Sequence, residues 1–165
     1  MDQRTRPYRS VLYIPGSKDR ALEKAKTLPV DAIIFDLEDA VAVDEKANAR
    51  ELLVSTLKAG GFGPRAKIIR INGFDTEWGE ADLAAAITAA PDAILLPKVD
   101  GPAVIEKVAA ALDAAPNCAH TSIWAMMETP IGILNAAAIA AAPRMGGMVM
   151  GTNDLAKELM TRFRA

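Results

Sequence analysis

Six short apolar runs, each closed by a turn signal and followed by a helix-forming segment, recur along the chain at intervals of roughly 25–30 residues. The runs are residues 10–15 (SVLYIP), 32–35 (AIIF), 66–71 (AKIIRI), 93–96 (AILL), 121–127 (TSIWAMM) and 148–150 (MVM). The spacing predicts helices over residues 18–27, 44–58, 80–90, 102–114, 131–141 and 155–163. Ser17 is placed to cap the first helix and Pro102 to open the fourth. Apolar stripes are expected from Ala21, Leu22 and Ala25 in the first helix and from Ala47, Leu52 and Leu53 in the second. Runs with no polar alternation are strands buried on both faces, so the pattern specifies a parallel sheet covered by helices.

Such a sheet can be open and doubly wound, or an arc of a barrel. The ends of the runs favour the barrel. Asp36, Arg70, Lys98, Glu128 and Asp154 stand at or just beyond the carboxyl ends of five of them. A barrel gathers those ends at one mouth, whereas an open sheet concentrates ligands at a switch point. The turn after the first run reads PGSKDR and lacks a dinucleotide-binding glycine signature. A (β/α)8 barrel needs about 200 residues or more. At 165 residues the chain is expected to form one domain over 1–165 that supplies the first six βα units of a TIM barrel. Two sheet edges are then left open.

Composition narrows the class. With 19 basic and 21 acidic residues and a net charge of -2, the chain has no basic excess for nucleic acid. A single cysteine, Cys118, excludes an internal disulfide and suits a reducing compartment. No run approaches the ~18 apolar residues of a membrane span, and the polar start MDQRTRPYRS lacks a signal-peptide core. A cytoplasmic protein without nucleic-acid or membrane partners is expected.

The stretch DAIIFDLEDAV, residues 31–41, puts three acids directly after a buried strand. Asp36 and Glu38 alternate with Leu37 and point to one side in extended chain, which requires a compensating cation. Arg70, at the end of an otherwise apolar neighbouring run, is such a cation. It serves either as a structural ion pair or as a fork for a substrate carboxylate or developing enolate. Glu128 and Asp154 follow adjacent strands ~4.8 Å apart and can converge on one divalent ion. Alternatively, Glu128 pairs with a lysine and Asp154 caps the helix starting at Leu155. Lys98 reads as a solvated loop lysine rather than a Schiff-base group, and His120 as a surface residue before the fifth strand. Lys18, Asp19 and Arg20 form a charged turn that is either solvated or placed to hold phosphates at the mouth.

In order, the segments RSVLYIPGSKDR, DAIIFDLEDAV, IIRING, AILLPKV, METPIGILNA and GTNDLAKEL resemble the citrate lyase beta subunit and aldolase family. These are metal-dependent barrels of the phosphoenolpyruvate/pyruvate type. The resemblance spans nearly the whole chain. It implies cleavage or formation of a carbon–carbon bond in a 3-hydroxyacyl-CoA thioester such as citryl-, malyl- or citramalyl-CoA. The products or co-substrates are a 2-oxo acid and a short acyl-CoA. It further implies Mg²⁺, or Mn²⁺, on Glu128 and Asp154, with Glu128 also touching substrate. Arg70 would stabilise negative charge, Asp36 and Glu38 would orient Arg70 and metal-bound water, and Lys18 and Arg20 would meet coenzyme A. Homotrimers, two further strands and a C-terminal segment completing the site are also implied. Two other readings remain: a pyruvate-type aldolase on free hydroxy-oxo acids, and a non-catalytic scaffold subunit.

Overall fold

The computed structural model describes residues 7–162. The polar N-terminal residues 1–6 and the expected end of the last helix at Phe163 lie outside them. The strands are β1 (Val11–Pro15), β2 (Ala32–Asp36), β3 (Ala66–Arg70), β4 (Ala93–Leu96), β5 (Ser122–Met127) and β6 (Met145–Met150). The helices are α1 (Asp19–Ala25), α2 (Lys46–Ala59), α3 (Gly79–Ala89), α4 (Pro102–Asp113), α5 (Pro130–Leu134), α6 (Ala136–Ala140) and α7 (Thr152–Glu158).

The sheet is parallel throughout, and its six strands lie in sequence order, β1 to β6. Its two faces differ. Alternate strand residues Ile33, Phe35, Ile69, Ile94 and Ile123 pack with Leu22, Leu53, Leu83, Val108 and Ile139 from five of the helices. The intervening residues Ala32, Ile34, Ile68, Leu95, Trp124 and Met126 form a second cluster to which no helix contributes. Sequential parallel strands with helices on one face only are the arc of a (β/α) barrel, not a doubly wound sheet. The arc is not closed among the described residues. β1 and β6 are the edges, and β6 alternates between half-buried and exposed positions. No helix among the described residues is long and apolar enough to cross a membrane.

Several local expectations need correction. Ser17 does not cap α1, whose N-cap is Lys18, with no side-chain hydrogen bond. The buried stripe of α2 is Lys46, Ala49, Leu53 and Leu57, at helical spacing; Ala47 is exposed. The single helix expected over 131–141 is two, parted at Asn135, whose backbone leaves helical geometry and whose side chain donates to the Asp100 carbonyl at 2.7 Å. β6 begins three residues earlier than its apolar run, at Met145. Gly146 and Gly147 weaken the strand signal, yet an added Cβ on Gly147 would lie 2.8 Å from the Trp124 ring. Finally, α7 begins at Thr152 rather than Leu155, so Asp154 sits in its first turn and is not its cap.

Candidate active site

Register sets the site. Pro15, Asp36, Arg70 and Leu95 form one row across β1–β4 at the carboxyl end of the sheet. Asp36 and Arg70 have the parity of Ala32, Ile34, Ala66 and Ile68, so both project onto the helix-free face. Glu128, one residue beyond β5, continues the parity of Trp124 and Met126.

Asp36, 2% exposed, has its acceptor positions filled. Oδ1 accepts from Arg70 Nε at 2.7 Å and from the Glu38 amide at 2.9 Å. Oδ2 accepts from Arg70 Nη2 at 2.6 Å and from the Ala40 amide at 3.2 Å. The bidentate fork orients Arg70, while the two amides shape the loop after β2. Asp36 is therefore spoken for, and has no lone pair directed at a metal.

Arg70 meets two more acids through Nη1. Glu38 Oε2 lies 2.6 Å away, off the line of an N–H, and Asp39 Oδ2 at 3.5 Å. The Tyr13 ring lies 5.4 Å from the guanidinium carbon. Burial alone would lower the Arg70 pKa, but the bonds and charges of Asp36, Glu38 and Asp39 outweigh it and hold the cation firmly charged. Glu38 is pushed up to about 7, first by burial and then by Asp39, Glu128 and Asp36; Arg70 opposes the shift. One guanidinium shared among three carboxylates cannot hold all of them at ordinary acidity.

Glu128 is 3% exposed. Its Oε1 accepts the Lys98 amide at 2.8 Å, which Lys98 presents with φ at +46°. A non-glycine residue in that region is strained and held by its surroundings. On the other side, a Cβ built on Gly151 would lie 2.4 Å from Glu128 Oε2, so only glycine leaves that oxygen room. The Glu128 pKa is raised, by burial first and by Asp154 among the nearby charges, against the Lys98 amide, Arg70 and the Lys98 charge. Glu128, whose charge Asp154 disfavours, and Asp154 are hard oxygen donors suited to a divalent cation completed by water and substrate oxygens. Among the described residues no group of three or more His, Cys, Asp or Glu forms a metal cage. The donor set fits Mg²⁺, which is held by few protein ligands.

The structure thus gathers Arg70, Asp36 and Glu38 by direct contact, and brings Asp154 near enough to Glu128 to raise its pKa. Lys18 instead pairs with Glu45 at 3.0 Å on the surface, and Arg20 is exposed on α1. Neither lines the large cavity beside the mouth, of about 980 Å³, between the loops after β2, β3 and β4. Glu38, Lys98, Phe74, Trp78, Val104 and Ile131 are among its walls. Lys98 and His120 are exposed, as expected. Sequence reasoning missed Lys46 and Asn72, buried behind the acidic loop. The signal for Lys46 was a lysine on an apolar helical stripe.

A model of the HpcH/HpaI aldolase/citrate lyase family matches residues 9–164. The chain is 61% identical over 164 residues to a (3S)-malyl-CoA thioesterase of Cereibacter sphaeroides, covering 99% of this chain and 55% of that one. It spans about half the length of the curated relatives it matches. Among solved structures, the citrate lyase beta subunit of Mycobacterium tuberculosis, complexed with oxaloacetate and magnesium, superposes with a TM-score of 0.77. That pair is 32% identical, with 100% of this chain and 68% of the other covered. The protein CitE of Mycobacterium tuberculosis, complexed with magnesium, acetoacetate and coenzyme A, gives a TM-score of 0.77 at 28% identity, covering 98% and 55%.

Proposed function

The chain belongs to the HpcH/HpaI aldolase/citrate lyase family, and from that premise we propose that the protein hydrolyses the coenzyme A thioester of a 3-hydroxy dicarboxylic acid of the malyl type, with Mg²⁺ at Glu128 and Asp154. The observation that carries the reading is the 61% identity with (3S)-malyl-CoA thioesterases over 99% of the chain. The mouth's chemistry supports it. Bound there, Mg²⁺ supplies Lewis acidity and a template for the substrate's hydroxyl and carboxylate oxygens. Arg70, charged at every working pH and held rigid by Asp36, binds a carboxylate or offsets a developing oxyanion. Glu38, titrating near 7, takes up or releases a proton at neutral pH. The cavity beside Glu38 and Lys98 has the size and apolar walls for the thioester's arm. Water adds to the thioester carbonyl, the carbon–sulfur bond breaks, and the free acid and the thiol leave.

A second reading is carbon–carbon cleavage to a 2-oxo acid and a short acyl-CoA. It is favoured by the likeness to a citrate lyase beta subunit complexed with oxaloacetate and magnesium. Products separate the two. Incubated with (3S)-malyl-CoA and Mg²⁺, the protein is expected to yield malate and free thiol in equal amounts. Glyoxylate with acetyl-CoA would replace hydrolysis by cleavage, and turnover of neither kind would overturn both.

A further inference from the structure

We propose that Lys46, in the first turn of α2, is a positioning residue for the arginine end of the site: its ammonium locks the Leu37–Glu38 step and so holds Glu38 against Arg70. The inference rests on the reading of that mouth as the reacting centre. Lys46 is 6% exposed. All three of its N–H groups are used, on Leu37 O at 2.9 Å, Glu38 O at 3.0 Å and Asn72 Oδ1 at 2.8 Å. No carboxylate lies within ion-pair distance of it among the described residues. Instead it sits 5.0 Å from the centre of the Trp78 ring. Burying an ammonium is costly, and an apolar residue of similar volume on this stripe would serve the core better. Its cost is offset by two carbonyls of the very loop that carries the acids.

The links from Lys46 to Arg70 are short. Asn72, held by Lys46, also donates to Leu37 O at 2.8 Å and is itself anchored by its backbone N–H on Asp82 Oδ2 at 2.9 Å. The Leu37 amide donates to Arg70 O at 2.9 Å. The Glu38 amide returns to Asp36 Oδ1 at 2.9 Å, and the Glu38 carboxylate closes on Arg70 Nη1 at 2.6 Å. With both carbonyls of the step fixed, the loop can turn neither peptide. Without the ammonium, Glu38 O loses its partner and Leu37 O keeps only Asn72, so the step rotates to find water. Glu38 then leaves Nη1, and the Arg70 fork keeps only Asp36. Burial lowers the Lys46 pKa, and the charges of Asp82, Glu38, Asp36 and Asp39 oppose that shift without cancelling it. A neutral replacement leaves Asp36, Glu38 and Asp39 with Arg70 as their ion-pair partner and no second cation nearby among the described residues.

Lys46→Met and wild type are compared by amide hydrogen exchange and by malyl-CoA kinetics. Thr121→Val serves as the control, because Thr121 is buried at the opposite end of the sheet with its hydroxyl on Pro91 O. In Lys46→Met the Glu38 amide is expected to exchange about tenfold faster or more relative to Ile34, in the middle of β2. kcat is expected to fall by about tenfold to a hundredfold with KM within about threefold. Thr121→Val lowers stability and changes neither ratio. Should Lys46→Met fail to fold, Lys46→Gln, which keeps one donor for a carbonyl, is read the same way with a smaller expected effect. Exchange at Glu38 that changes only in step with Ile34, or a folded variant with wild-type kcat, overturns the proposal. If wild type turns over no malyl-CoA, the proposed function fails, and the exchange ratio alone decides the role of Lys46.

Discussion

At the scale of single residues, Asp36, which ends β2, and Glu38, in the loop after it, meet Arg70 in different ways. Asp36 receives four hydrogen bonds and keeps Arg70 in place. Asp36→Asn removes the charge and one half of the fork, so kcat is expected to fall about a hundredfold through misplacement of Arg70. Magnesium affinity, read by calorimetry, stays within about threefold, because Asp36 has no lone pair directed at the metal. Glu38 instead titrates, and the sign follows from its pKa of about 7 against an unfolded value of about 4.3. Between those values the folded state holds the extra proton, so this group's contribution to stability falls as pH rises from about 4.3 to 7. Glu38→Gln removes that slope. Relative to wild type, its Tm is expected to compare better at pH 8 than at pH 5, and the ionisation near 7 disappears from the pH–rate profile.

The elements explain what could be read from the sequence and what could not. β4 was legible to the residue, since four apolar residues between Pro91 and Pro97 admit little else. Arg70 could be foreseen beside Asp36, because a guanidinium at the end of a buried strand needs an acid on the next. The buried stripe of α2 departs from the expected Ala47, Leu52 and Leu53 because a lysine, Lys46, takes a place on it. Its burial depends on carbonyls of a loop whose shape no periodicity encodes. The break at Asn135 was equally hidden, since the partner of its side chain there is the Asp100 carbonyl, distant in sequence. Gly151 is a contact of the same kind, visible only once β5 and β6 are paired. Gly151→Ala drives a methyl into Glu128, and both Tm and magnesium affinity are expected to drop, the latter by about tenfold or more. A normal affinity would mean that Glu128 has room to move and is not held as a ligand.

At the scale of the molecule, one sheet separates structure from chemistry. The helix-covered face carries the core, and Leu53→Ala there is expected to cost about 3 kcal/mol in denaturant unfolding without altering the pH–rate profile. The helix-free face carries the mouth, where carboxylates outnumber cations, so a bound cation should stabilise the whole fold. Magnesium at about 100 times its Kd is expected to add about 2.7 kcal/mol to unfolding stability, an increment lost in Glu128→Gln. The proposed division of labour across this mouth gives the metal to Glu128 and Asp154, and Arg70 to Asp36 and Glu38. Calorimetric titration of Mg²⁺ into wild type, Glu128→Gln and Asp36→Asn tests it most directly. The expected result is binding to wild type and Asp36→Asn with similar affinity and none to Glu128→Gln. Binding that survives Glu128→Gln and collapses in Asp36→Asn would contradict it and move the metal to the loop after β2.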